Sequence, residues 1–95
     1  MKNEPNLTDL KVRSNIPKDA KFLGWLIHNP LQDDFLWKYQ ENEFMLNKQW
    51  SIYPDMAMKF AKYKKALKLL KDLQLQDRAI LVAAFDCAPG IQIAA

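Results

Sequence analysis

The stretch that decides the fold is Phe35 to Trp50, "FLWKYQENEFMLNKQW", with five aromatics and two lysines in sixteen residues. Aromatics beside lysines can form a platform for stacking nucleic-acid bases, or one apolar face of a β-hairpin. A turn at Glu41–Asn42 pairs Tyr39 with Phe44, Trp37 with Leu46 and Phe35 with Lys48. One face then holds Phe35, Trp37, Tyr39, Phe44 and Leu46, and the other Leu36, Lys38, Gln40, Glu43, Met45 and Asn47. The aromatics segregate with the aliphatics and away from Lys38, as a core-facing strand pair requires. Glu-Asn is a weaker hairpin turn than Asn-Gly, so a longer loop or a shifted register is the alternative.

Upstream, "KFLGWLIH" at 21–28 alternates and is rich in strand-favouring residues. "NPLQDD" at 29–34 follows with turn chemistry. Strict alternation places Leu23, Trp25 and Ile27 on one face and Phe22, Leu26 and His28 on the other. Downstream, "YPDMAMKFAKYKKALKLLKDLQL" at 53–75 reads as a helix opened by Pro54 and Asp55. Its apolar stripe runs through Met56, Phe60, Tyr63, Leu67 and Leu70. A break near Ala61 would divide it into a short helix and a longer one. "RAILVAAFD" at 78–86 is apolar on both faces, hence a buried strand or a short buried helix. "IQIAA" after "APG" adds a short terminal strand.

The expected fold is therefore α+β, an antiparallel sheet in β-β-β-α-β order with one amphipathic helix packed on one face. Residues 1–20 form an N-terminal arm, partly flexible, with a helical turn near "TDLKV". Residues 21–95 form a single domain. With one helix covering one face, Phe22, Leu26, Leu36 and Met45 line a second sheet face. The arm or the C-terminal tail covers it, or it serves partner binding or homodimerisation.

Composition narrows the chemistry. One cysteine, Cys87, excludes an intramolecular disulfide and points to a reducing cytoplasm. No signal-peptide run is present, and the longest apolar run, "AILVAAF", falls far short of the roughly 20 residues a membrane span needs. His28 and Cys87 have no ligand-spaced companions, so neither a metal nor a cofactor is expected. The few hydroxyl residues sit in no Gly-rich elbow, and two glycines make no phosphate loop. Catalysis is not expected.

Charge is distributed unevenly around a net +3. Lys59 to Lys71 holds six lysines and no acid, whereas Asp33 to Glu43 holds four acids against Lys38. The lysine run reads first as the solvated side of a core helix. It is also the surface best suited to an acidic protein or to nucleic acid, but not to a membrane, because the apolar stripe is needed by the sheet. The candidate partner-binding residues are Lys59, Lys62, Lys65, Lys68, Lys38, Glu41, Glu43, Leu36 and Met45.

The passage "FLGWLI…DDFLWKY…EFML…WSIYPDMAMKFAKYKKALKLL" resembles small orphan proteins of bacteriophages and mobile elements. The resemblance spans about 22–85 and includes an Ala-x-x-Phe segment, Ala57 to Phe60, and the pair Ala66-Leu67. Some such proteins, anti-CRISPRs among them, are short, non-enzymatic and act by stoichiometric binding to a host complex. The resemblance thus implies an inhibitor that binds a host protein, with no functional motif carried over. The chain lacks the strong acidity of a DNA mimic.

Overall fold

The computed structural model describes residues 4–41 and 46–95. In chain order it contains α1 (Leu7–Arg13), β1 (Lys21–Asn29), β2 (Asp34–Glu41), β3 (Leu46–Ser51), a 3-10 turn (Pro54–Met56), α2 (Tyr63–Asp72), β4 (Ile80–Cys87) and β5 (Gly90–Ala94). The class is α+β, with one five-stranded antiparallel sheet in the order β3-β2-β1-β4-β5. Among the described residues there are two α-helices, α2 within the segment expected to be helical and α1 where a helical turn was expected near "TDLKV". The segment 78–86, open between helix and strand from the sequence, lies almost wholly in β4, where β-branched Ile80 and Val82 and aromatic Phe85 outweigh the alanines.

The turn between β1 and β2 follows from its residues. Asn29 Oδ1 accepts from the backbone N–H groups of Leu31 (3.0 Å) and Gln32 (3.2 Å). The Asp33 N–H donates to the Asn29 carbonyl at 2.8 Å, with Asp33 in the left-handed region at φ 55°. Beyond the turn, β1 and β2 pair at His28↔Phe35 and Asn29↔Asp34. Further along, residues 57–60 supply backbone partners to both strands. The Met58 N–H donates to Leu36 O (3.0 Å), the Trp25 N–H to Phe60 O (2.7 Å), and the Phe60 N–H to Trp25 O (3.0 Å).

This wedge corrects the continuous helix expected over 53–75. Helix formation occurs at 63–72, with a 3-10 turn at Pro54–Met56 and an extended connection that carries Phe60 into an isolated bridge with Trp25. The break falls beside Ala61. The backbone bonds offered by two strands outweigh a propensity preference worth only tenths of a kcal/mol per residue. Met56 is consequently exposed, while Tyr63, Ala66 and Leu70 are buried.

The β2–β3 register also differs from the expected one. Tyr39 lies opposite Lys48, not Phe44, and Phe35 opposite Ser51, not Lys48. Glu41 is still in the ladder, paired with Leu46, so the connection is longer than Glu41–Asn42. That agrees with the poor fit of Glu-Asn to a two-residue turn. A bulge at Trp37, between Leu36 and Lys38, adds a second shift.

Two core clusters lie on the helix-bearing side of the sheet. Leu10 and Ile16 join Trp25, Tyr63, Ala66, Ala83, Phe85 and Ala94 in the first. Ile27 and Leu36 meet Leu70, Leu73, Leu75 and Ala79 in the second. The third cluster gathers the alternate strand positions Leu26, Phe35, Val82 and Ala84 with Ala57, bordered by Leu23, Ile91 and Ile93. A register shift between Phe22 and Gly24 exchanges the faces expected of Phe22 and Leu23. Phe22 therefore packs edge-on to Trp25 at 5.5 Å and lies 5.7 Å from Phe85. Of the expected second-face residues, Leu26 and Leu36 are both buried, in different clusters, and Met45 lies outside the described residues. α1 is fixed by its N-cap, with Asn6 Oδ1 accepting from Thr8 N–H (2.8 Å) and Asp9 N–H (3.2 Å).

Candidate functional site

α2 divides its circumference between core and charge. Tyr63, Ala66 and Leu70 are buried, as is Leu73 at its C-cap. At about 100° per residue, Lys68 falls opposite the centre of that buried face, with Lys64 and Lys71 on one flank of it and Lys65 on the other. All four are exposed, as is Lys62 at the N-cap position. Asp72 closes the helix, and its Oδ2 lies 3.3 Å from Lys68 Nζ. Both side chains are more than half exposed, so this pair contributes little and leaves the lysine stripe strongly cationic.

Beside that stripe is a shallow depression of about 330 Å³, lined by Tyr39, Met58, Phe60, Leu69, Lys65, Lys68 and Asp72. Its floor is apolar because the wedge brings Met58 and Phe60 against α2. Its wall is Tyr39, 37% exposed. Lys48, opposite Tyr39 in the ladder, adds a third cation to this neighbourhood.

The candidate residues from the sequence are only partly united. Lys65 and Lys68 line the depression. Lys59 precedes the helix, and its Nζ donates to the carbonyls of Asp55 (2.8 Å) and Ala57 (3.3 Å). Lys38 is exposed on β2, and Glu41 ends that strand. Leu36 lies fully inside the core and presents no surface to a partner. Glu43 and Met45 lie outside the described residues. The candidate residues from the sequence did not include Lys64, Lys71, Tyr39 and Lys48, although Lys64 and Lys71 belong to the six-lysine run. The i, i+4, i+7 spacing of Lys64, Lys68 and Lys71 was a readable signal; the position of Tyr39 was not, since it depends on the Trp37 bulge.

His28 and Cys87 are not brought together. His28 pairs with Ile80 at the start of β4 and Cys87 ends that strand, roughly 20 Å away at strand rise. His28 stacks on Phe35 at 4.7 Å, and its Nε2 lies 3.0 Å from Asp33 Oδ1. Among the described residues, no group of three His, Cys, Asp or Glu side chains is placed to hold a metal ion. Among the same residues, no helix is long and apolar enough to cross a membrane.

Comparison with protein-family models, with curated proteins and with solved structures finds no match.

Proposed function

We propose that this chain is a non-catalytic binding module that docks an acidic protein surface through the lysine stripe of α2 and the Tyr39 depression. The observation that carries this reading is the adjacency of the two. An apolar hollow with one aromatic wall is rimmed by Lys65 and Lys68 and continues into Lys64 and Lys71. Protein interfaces combine an apolar, aromatic-containing centre with a charged rim, and Tyr is over-represented among the residues that dominate binding. The cations steer an acidic partner, and the hollow accepts one of its apolar side chains. An inhibitor acting stoichiometrically on a host protein, as the resemblance to phage and mobile-element proteins implies, is one form of this role.

The same lysines beside an exposed tyrosine support a second reading, nucleic-acid binding with one base stacked on Tyr39. One feature favours protein. The floor of the hollow mixes Met58 and Leu69 with the half-buried ring of Phe60, rather than presenting a row of exposed rings.

The test is capture of partners from a nuclease-treated bacterial lysate at moderate salt, using the wild-type chain and Lys64→Glu/Lys68→Glu/Lys71→Glu in parallel. A stoichiometric acidic protein retained by the wild type and lost by the triple variant supports the reading. No partner, or one retained equally by both, rejects it. For duplex DNA engaging about four lysines, the log–log salt slope of affinity would be about −3.6. A slope of that size, with no protein captured, transfers the surface to nucleic acid.

A further inference from the structure

A second concavity, which shares no lining residue with the Tyr39 depression but reaches Lys48 beside it, lies between the β1–β2 turn and the loop from α2 to β4. It is a half-open groove of about 740 Å³, a volume within the range of roughly 300–1,000 Å³ typical of small-molecule sites. We propose that this groove binds a small amphipathic anion, an aromatic or medium-chain aliphatic carboxylate or sulfonate.

The apolar part of the argument rests on four residues. Leu75 and Ala79, both buried, and half-buried Trp50 form the apolar lining, while Leu31 stands on the wall with 95% of its surface exposed. A leucine that exposed has unsatisfied apolar surface, and a ligand over Trp50 is placed to cover it. The polar part rests on charge. Lys48 and Arg78 line the groove against one carboxylate, Asp77, which lies 3.8 Å from Arg78 Nε. The balance is positive, and the cations stand beside an apolar lining. Free phosphate would leave that lining uncovered, and a neutral apolar molecule would leave the cations unused.

Both walls are preformed. The β1–β2 turn is held by the Asn29 side-chain bonds and by the Asp33 N–H to Asn29 O bond. The opposite loop turns at Gln74, in the left-handed region at φ 56°. It is held by the Leu75 N–H to Leu70 O (2.9 Å), Arg78 N–H to Leu75 O (3.1 Å) and Ala79 N–H to Leu75 O (2.9 Å). A ligand entering here orders little chain, so its contacts are not offset by loop entropy. The volume suits one molecule of modest size better than a peptide strand.

The experiment uses the intact chain and two fluorescent probes, 1-anilinonaphthalene-8-sulfonate and its uncharged relative N-phenyl-1-naphthylamine, with near-UV circular dichroism confirming native packing. The anionic probe is expected to bind one-to-one and at least about fivefold more tightly than the neutral one, and octanoate is expected to displace it. Leu31→Glu and Lys48→Glu/Arg78→Glu are each expected to weaken it about tenfold. These are surface or half-buried positions, which spares the fold. Lys64→Glu/Lys68→Glu/Lys71→Glu is expected to bind it within about twofold of wild type, which separates this site from the α2 stripe. Amide shifts on probe addition are expected at residues 29–32 and 75–80. Equal affinity for the two probes, indifference to Leu31→Glu, or loss in the α2 triple variant would each overturn the proposal.

Discussion

Gly24→Ala tests the wedge on which the architecture depends. Gly24 lies in β1 at φ 144°, a conformation that L side chains rarely adopt. A Cβ there would sit 3.1 Å from Lys59 Cβ, 3.2 Å from Phe60 O and 3.3 Å from Phe60 N. These neighbours are main chain or the base of a side chain, so none can swing aside. They are also held in place by the paired Trp25–Phe60 bonds. Backbone strain of this kind costs about 1–3 kcal/mol and overpacking about 1–3 kcal/mol, together about 2–6 kcal/mol, of which about 3 kcal/mol is a conservative expectation. Against a total stability of roughly 5–15 kcal/mol, that is a large fraction. At about 4–8 °C per kcal/mol, the melting temperature should fall by about 12–24 °C. Differential scanning calorimetry and urea unfolding give the two quantities independently. Hydrogen exchange should accelerate first at the Trp25 and Phe60 amides, because the wedge is the structure that yields. Gly90→Ala is the internal control: no heavy atom lies within 4 Å of its added Cβ, so its effect should stay within about 0.5 kcal/mol. If Gly24→Ala melts within 2 °C of wild type, or if the two substitutions cost the same, the close approach of residues 57–60 to β1 is wrong.

The broken helix makes opposite demands on two residues of the original stripe. Leu70→Ala should cost about 2–5 kcal/mol because Leu70 is buried, whereas exposed Met56→Ala should change stability by less than about 0.5 kcal/mol; equal losses in urea unfolding would restore the continuous helix. Asn6→Ala removes both cap bonds of α1 and should cost about 1 kcal/mol, with faster amide exchange confined to residues 7–13 at low denaturant. Lys64→Glu/Lys68→Glu/Lys71→Glu should keep a cooperative melt within about 1 kcal/mol of wild type, since all three lysines are exposed and only Lys71 lies in the last turn, where a cation favours the helix dipole. Collapse of folding in that variant would mean that these lysines serve structure rather than association.

What was legible in the sequence was the part governed by local chemistry. Asn29 and Asp33 made the β1–β2 turn readable, and the spacing of Tyr63, Leu67 and Leu70 made α2 readable. The sequence left 78–86 open between strand and helix, its β-branched and aromatic residues arguing for a strand and its alanines against, and the structure has a strand at Ile80–Cys87. What was not legible depended on long-range pairing. Residues 57–60 have reasonable helix propensity, and nothing local says that two diverging strands await them. Gly24 was visible, but its meaning required knowing which backbone approaches it. Leu36 was assigned to an outward face by counting alternate residues, and a register shift defeats such counting.

The Trp37 bulge bears on both fold and surface. In an unbulged strand, residues two apart share a face. Leu36 faces α2, so Lys38 would follow it there, toward Lys65 and Lys68, and Tyr39 would turn away. That arrangement would set like charges together and remove Tyr39 from beside Met58 and Leu69. With Trp37 as the extra residue, Leu36 and Tyr39 both face α2, and Gln49, not a core residue, stands opposite Lys38. The stretch that first suggested a row of stacking aromatics thus uses Phe35 in the core and brings Tyr39, partly exposed, to the lysine stripe. One exposed aromatic beside several cations, with Phe60 half-buried in the floor of the hollow, is too little for a track of bases. It is compatible with the proposal that this surface accepts a single anchoring side chain from an acidic protein.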